Sequence, residues 1–295
     1  MKPRDIAAYA TLALVWGFSF MVVVKVVAAF GWAGAVSFRS IVAGGALFFI
    51  ARLGGKQLDF SCGWGKLAVL GFLSVTCQLA GIAFAAPIIG TAMTAILVSA
   101  IPLFSMIIGR LLGIEHIGRA GLLGVAMGIV GIVMLVGFPA VPFTSAFLIG
   151  CAVSILGSLC AALGSIFASE RLRGVGSWEM TIGSFIAGGL MLMPLVLLVP
   201  VPAVPGVIDY LWLVGMGLVT SAAMYVVYFN LVASIGPTRA ISVEFAVTVV
   251  AVLAGTLILG ENLSPLQFAG AAIIVTGCAL VLGLIPNLWR ARARA

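Results

Sequence analysis

A glycine pattern built around a glutamate occurs twice in this chain at one fixed spacing. Gly109, Glu115, Gly124, Gly131 and Gly137 return 146 residues later as Gly255, Glu261, Gly270, Gly277 and Gly283. The same offset joins Ser19 to Ser165, Lys25 to Arg171, Trp32 to Trp178, Gly71 to Gly217 and Gly90 to Gly236. Glu115 is the only glutamate in the first half, and it still finds a mate. Six glycines pair in this way, where random placement gives about two, and repeats of this kind are characteristic of transporters. The spacing predicts a duplicated unit, residues 1–143 followed by residues 144–295.

What each unit is made of follows from its apolar runs. With 63% hydrophobic and 8% charged residues, against roughly a quarter charged in globular chains, the sequence has no use for a soluble surface. Runs of about 18 or more apolar residues read as membrane-spanning helices. They are too long and too uniform for barrel strands of alternating polarity. Gly, Pro and charge punctuation predicts ten spans, at 6–29, 34–53, 66–87, 90–112, 118–138, 145–170, 177–200, 209–235, 239–260 and 264–288. The last opens on Ser264-Pro265-Leu266-Gln267, an N-cap, a first-turn proline and a capping-box glutamine. The fold expected is an all-α polytopic membrane protein.

Basic residues set the direction. With the N-terminus inside, cytoplasmic segments hold 13 of the 15 Lys and Arg, and Lys25 and Arg39 flank the first external turn from within their helices. Both termini are then cytoplasmic. Five spans per unit is an odd number, so the second unit is inverted relative to the first, with Glu115 at one surface and Glu261 at the other. Inverted repeats enclose a substrate site near the midplane. Because the basic residues lie singly in short loops, the net charge of +7 reflects topology and not nucleic-acid binding. The first span is expected to be retained, not cleaved as a signal peptide, since Ser19, Lys25 and Trp32 have repeat mates. Cys62, Cys77, Cys151, Cys160 and Cys278 have no ligand or disulfide spacing and read as small hydrophobes.

Several stretches carry a family likeness: Ala-Leu-Val-Trp16-Gly17-Phe18-Ser19-Phe20, Ser37-Phe38-Arg39-Ser40, Ser99-Ala100-Ile101-Pro102-Leu103-Phe104, and Leu259-Gly260-Glu261-Asn262-Leu263-Ser264 followed by Gln267, Gly270 and Gly277. Together they resemble the EamA-type branch of the drug/metabolite transporter superfamily, and within it the YddG-type bacterial exporters of aromatic and other amino acids. The resemblance implies ten helices, as two inverted five-helix repeats around a central cavity, and export of small metabolites across the inner membrane. Ser19 stands where family members often have Asn, and Thr248 replaces the proline that Pro102 would pair with.

Glu244, about five residues or 8 Å into the ninth span, is an intramembrane carboxylate that could bind a substrate ammonium group or carry a coupling proton. A helix-terminal carboxylate reaching toward the cytoplasm is the competing role. Arg39, at similar depth from the opposite face, lies roughly 15 Å from Glu244 by depth. It is expected at the external mouth, steering a carboxylate or bonding outer carbonyls. Ser19, Gln78, Ser99, Ser165, Tyr225, Tyr228 and Thr248 are the remaining mid-membrane polar candidates for substrate binding. Trp16 and the two tyrosines could form an aromatic lining or equally face lipid, and for the serines and threonines helix packing is the commoner role. Pro102 can kink its helix and form a gate.

The function expected is a secondary carrier exporting amino acids or other small metabolites by alternating access. Exchange of phosphorylated or nucleotide sugars is the runner-up, and multidrug or cation export a further alternative. The sugar exchangers need several cavity cations, and only Lys25 and Arg39 are available. An enzyme is not expected, because the single histidine, His116, sits in a loop without a catalytic constellation. No nucleotide-binding loop is present. The partners expected are a small-molecule substrate and the lipid bilayer, with the protein working as a monomer and needing no cofactor, metal or nucleic acid.

Overall fold

The computed structural model describes residues 3–113, 119–137, 144–199, 201, 204–235 and 240–281. Glu115, His116, Gly236 and Gly283, all named above, lie outside the described residues. Within them the chain is helical, with no strand. The helices are α1 (Pro3–Leu53), α2 (Trp64–Ile89), α3 (Thr91–Leu111), α4 (Arg119–Gly137), α5 (Ser145–Arg171), α6 (Ser177–Val196), α7 (Val207–Ile235), α8 (Val243–Leu257) and α9 (Pro265–Val281). Six of them, α1, α2, α3, α5, α6 and α7, are long and apolar enough to cross a membrane, and shorter apolar helices lie within α4, α8 and α9.

Where two spans and a turn were expected at the start, α1 runs for 51 residues. A straight helix of that length would reach about 75 Å, more than twice the hydrocarbon thickness. Gly31 divides it, with φ 69° and ψ 162°, a conformation that L side chains avoid. A single glycine thus replaces the expected turn.

Two helices widen instead of breaking. Phe72–Leu79 in α2 and Met216–Ala223 in α7 are π-helical, stretches that correspond in the two repeats. Such segments are rare and cluster at functional sites. α3 is interrupted at Ser99-Ala100, and Pro102 occupies the first turn of the segment that follows.

The glycines of the repeat mark helix crossings, and the crossings are reciprocal. A Cβ on Gly131 would lie 2.7 Å from the Gly270 carbonyl oxygen, and one on Gly277 would lie 2.6 Å from the Gly124 carbonyl oxygen. Each glycine therefore meets the mate of the residue that its own mate meets. Helices α4 and α9 run antiparallel through this contact. Likewise Gly71 abuts Ser184 and Gly188 of α6, while its mate Gly217 abuts Arg39 and Val42 of α1, and Val42 is the mate of Gly188. Small residues let backbones approach where lipid gives no hydrophobic drive for association.

The anticipated N-terminus of α9 is formed in full. The Ser264 amide donates to Gln267 Oε1 at 2.9 Å, and the Gln267 amide donates to Ser264 Oγ at 3.2 Å.

Candidate functional site

A buried cavity opens between α1, α2, α7 and α8, and it has two lobes that share Trp16, Gln78, Tyr225 and Glu244. Ser19, Arg39 and Thr220 complete one lobe; Ser74, Ser165 and Tyr228 complete the other. The repeat mates Ser19 and Ser165 thus line opposite lobes, as do the mates Thr220 and Ser74. Ser74 escaped the sequence reading, although its offset from Thr220 could have revealed it.

The shared waist is aromatic. The Trp16 ring lies 5.2 Å from Tyr225 and 5.5 Å from Tyr228, and Phe185 stands edge-on to Tyr225 at 4.7 Å. Trp16 Nε1 donates to the Thr220 carbonyl at 3.0 Å, which fixes the indole across the cavity. The Ser165 and Tyr228 hydroxyls share a hydrogen bond of 3.0 Å, and Ser19 Oγ donates to the Trp16 carbonyl at 2.7 Å. Geometry of this kind presents ring faces and a few polar groups to a small ligand.

Arg39 was expected at an external mouth. It is 4% exposed, on the wall of the lobe that Glu244 also lines. Its Nη1 donates to the Met216 thioether at 3.5 Å, and its Nε has no hydrogen-bond partner. Gly217 makes this placement possible, since a Cβ there would come within 2.9 Å of the Arg39 carbonyl oxygen. Between the described residues the single ion pair is Arg173–Glu170, a surface contact of 3.0 Å. Arg39 and Glu244 share a cavity and do not pair with each other.

Three further candidates lie off the cavity, at the interruption in α3. Thr248 Oγ1 donates to the Ala95 carbonyl at 3.0 Å and to the Glu244 carbonyl at 2.7 Å. Ser99 Oγ donates to the Ile96 carbonyl at 2.7 Å, and Ser158 Oγ reaches the Leu97 carbonyl at 3.3 Å. Pro102 cannot donate to a preceding carbonyl, so the helix opens just ahead of it. The Ser99 hydroxyl covers the Ile96 carbonyl, whose usual amide partner at Ala100 bonds to Leu97 instead, while the Thr248 and Ser158 hydroxyls add second bonds to the Ala95 and Leu97 carbonyls. Thr248 shares a helix face with Glu244 but turns to α3, and Pro102 lines neither lobe.

The two repeats diverge where the cavity is. Opposite Trp16, Arg39 and Gln78 the other copy carries Ala162, Phe185 and Met224. Opposite Tyr225, Tyr228 and Glu244 it carries Leu79, Ile82 and Val98. The glycines shared by the two copies match at their crossings, and so do the hydroxyls Ser19 with Ser165 and Ser74 with Thr220; the large polar and aromatic groups at the site do not. Among the described residues no three His, Cys, Asp or Glu converge as metal ligands.

Comparison with known proteins matches this architecture. A crystal structure superposes over the full length of both chains with a TM-score of 0.70 at 17% identity, which shows a shared fold. The "Uncharacterized inner membrane transporter YedA" of Escherichia coli K12 is 29% identical over 198 residues, 64% of this chain and 61% of that protein. The chain therefore spans about three-fifths of that relative. "Protein PecM" of Dickeya dadantii is 27% identical over 288 residues, 95% of this chain and 92% of that protein. An "Uncharacterized transporter" of Archaeoglobus fulgidus is 26% identical over 211 residues, 72% of this chain and 73% of that protein. The profile of the EamA-like transporter family fits twice, over residues 5–137 and again over 148–283. With nearly the whole chain accounted for by those two matches, this multi-pass membrane protein belongs to the EamA-like transporter family.

Proposed function

We propose that the protein is a secondary carrier that exports small zwitterionic metabolites, amino acids first, through the cavity around Arg39 and Glu244. One observation carries this reading. A guanidinium and a carboxylate line the same space between the helices without pairing. A free amino acid brings the complementary pair, a carboxylate for the buried Arg39 and an ammonium group for the half-buried Glu244. Trp16 and Tyr225 offer ring faces to its side chain or to its ammonium group.

In this reading α1 supplies two spans, giving ten in all, and residues 1–143 and 144–295 form inverted halves in the cytoplasmic (inner) membrane with both termini inside. The double family match, the reciprocal glycine contacts and the antiparallel α4–α9 crossing support it. Each half can then adopt the other's conformation, which is the basis of alternating access. The YddG-type likeness of the sequence motifs points to aromatic and neutral amino acids within that class.

Export of organic cations is the second reading, and the rings beside Glu244 favour it. It leaves Arg39 without a task. Phosphorylated sugars need several cations, and Arg39 is the one Lys or Arg among the described residues lining the lobes. The deciding experiment is uptake of labelled neutral amino acids into proteoliposomes without ATP, with amine analogues lacking the carboxylate alongside. Transport of the amino acids over their analogues is expected. Uptake equal to empty liposomes across the amino-acid panel would overturn the substrate assignment.

A further inference from the structure

The Ser165 lobe is separated from a wider vestibule by a single helical turn. The vestibule encloses about 1110 Å³ including open solvent, against about 410 Å³ for the lobe. The helices that run past both place a lobe residue and then, four positions on, a vestibule residue. Ile101 precedes Ser105, Ser165 precedes Ser169, and Tyr228 precedes Val232. Four residues of helix rise about 6 Å. Among the described residues Phe229 alone lines both spaces.

Phe229 is 4% exposed, with its ring 5.6 Å from Tyr228 and 6.1 Å from Tyr225. Its side chain has no polar atom, so moving it strands no hydrogen bond. Its repeat mate is Ala83, too small to block a path, so this barrier belongs to one end of the molecule. That end carries the exposed Arg173–Glu170 pair.

We propose that Phe229 is the gate between the central cavity and the vestibule, the residue whose ring must swing for a solute to pass. The inference rests on the cavity being a transport path, and it names the one side chain that controls entry from the Arg173 end. A fluctuating ring admits small solutes slowly, a smaller residue admits them freely, and a larger one shuts them out.

Thiol labelling tests this without any cargo. In protein whose five native cysteines are replaced by serine, Ser165→Cys reports the lobe and Ser169→Cys the vestibule. The probe is a membrane-impermeant cationic methanethiosulfonate. With Phe229 in place, Ser169→Cys is expected to react at least tenfold faster than Ser165→Cys. Phe229→Ala should raise the Ser165→Cys rate at least tenfold and leave Ser169→Cys unchanged, while Phe229→Trp should lower it. An unchanged Ser169→Cys rate also certifies a folded vestibule, and Phe229→Leu replaces any alanine variant that fails that check. Equal Ser165→Cys rates with Phe, Ala or Leu, and Trp at position 229 would overturn the gate. An amino-acid screen that finds no cargo leaves the labelling result standing, so the two proposals fail separately.

Discussion

Glu261 clasps the start of α3 at Thr91: one carboxylate oxygen accepts from the Thr91 amide at 2.7 Å and the Thr91 hydroxyl at 2.8 Å, and the other accepts from the Ala92 amide at 2.8 Å. A helix N-terminus leaves its first amides without intrahelical partners, and an ionised acceptor there satisfies them with charge-assisted bonds. Gly90, with φ 88°, turns the chain tightly enough for the carboxylate to reach. The Leu-Gly-Glu stretch that carries much of the family likeness is therefore a structural clamp. Glu261→Ala is expected to destabilise the protein by about 1–3 kcal/mol, seen as a lower melting temperature in detergent, with Glu261→Gln in between. A melting temperature equal to wild type would remove the clamp from the account.

Glu244 and Arg39 have separable predicted effects on transport. Removing the carboxyl charge with Glu244→Gln should cut uptake of a zwitterion at least tenfold and flatten its pH profile, because the ammonium partner is gone at every pH. A variant that keeps the wild-type pH profile would leave Glu244 a helix-terminal carboxylate only.

Arg39→Met should raise KM for amino acids by about 10- to 100-fold, the loss of a charge-assisted contact of roughly 1.5–3 kcal/mol, without affecting amines that lack a carboxylate. Equal effects on both substrate types would favour the cation reading.

The reciprocal crossings predict paired phenotypes. Gly131→Ala and Gly277→Ala each drive a methyl group against a backbone carbonyl less than 3 Å away. Both should destabilise by similar amounts, about 1–3 kcal/mol for an overpacked contact. Thermal melting of the two variants checks this, and a large effect from one with none from the other would argue against matched interfaces.

Sidedness checks the inverted arrangement. Cysteines at Leu112 and Asn262, exposed residues beside the positive-φ turns at Gly113 and Gly260, should label from opposite faces of the membrane. Labelling from the same face would undo the inversion and the carrier reading with it.

Much of this architecture is legible in the sequence because membrane helices are specified locally. An apolar run, a capping box at Ser264 and glycines at a fixed offset each state their structure without reference to the rest of the chain. The π-helical turns are not legible, since Phe72–Leu79 and Met216–Ala223 look like ordinary helix and their extra width comes from packing. At the site, large side chains were easier to read than hydroxyls. Gln78 and Glu244 are too polar to face lipid without purpose, and they line the cavity with Trp16, Tyr225 and Tyr228, whose rings could equally have faced lipid. Ser99 and Thr248 look equally polar on paper, but a hydroxyl within reach of a backbone carbonyl bonds to it, and both sit at the α3 interruption. The burial of Arg39 is not legible because depth along a helix says nothing about how far the neighbouring helices close over it. Phe229 went unnoticed because a phenylalanine in an apolar helix gives no signal; only the two spaces on either side of it do.

The divergence of the two copies at the cavity has a consequence for how such a protein can change. A substitution at Gly131 or Gly277 strikes a contact that the other copy reproduces, so the helix frame is under double constraint. Trp16, Arg39 and Glu244 correspond to Ala162, Phe185 and Val98 in the other copy, and nothing obliges them to match. One copy can drift at the cavity while the frame around it stays as it was.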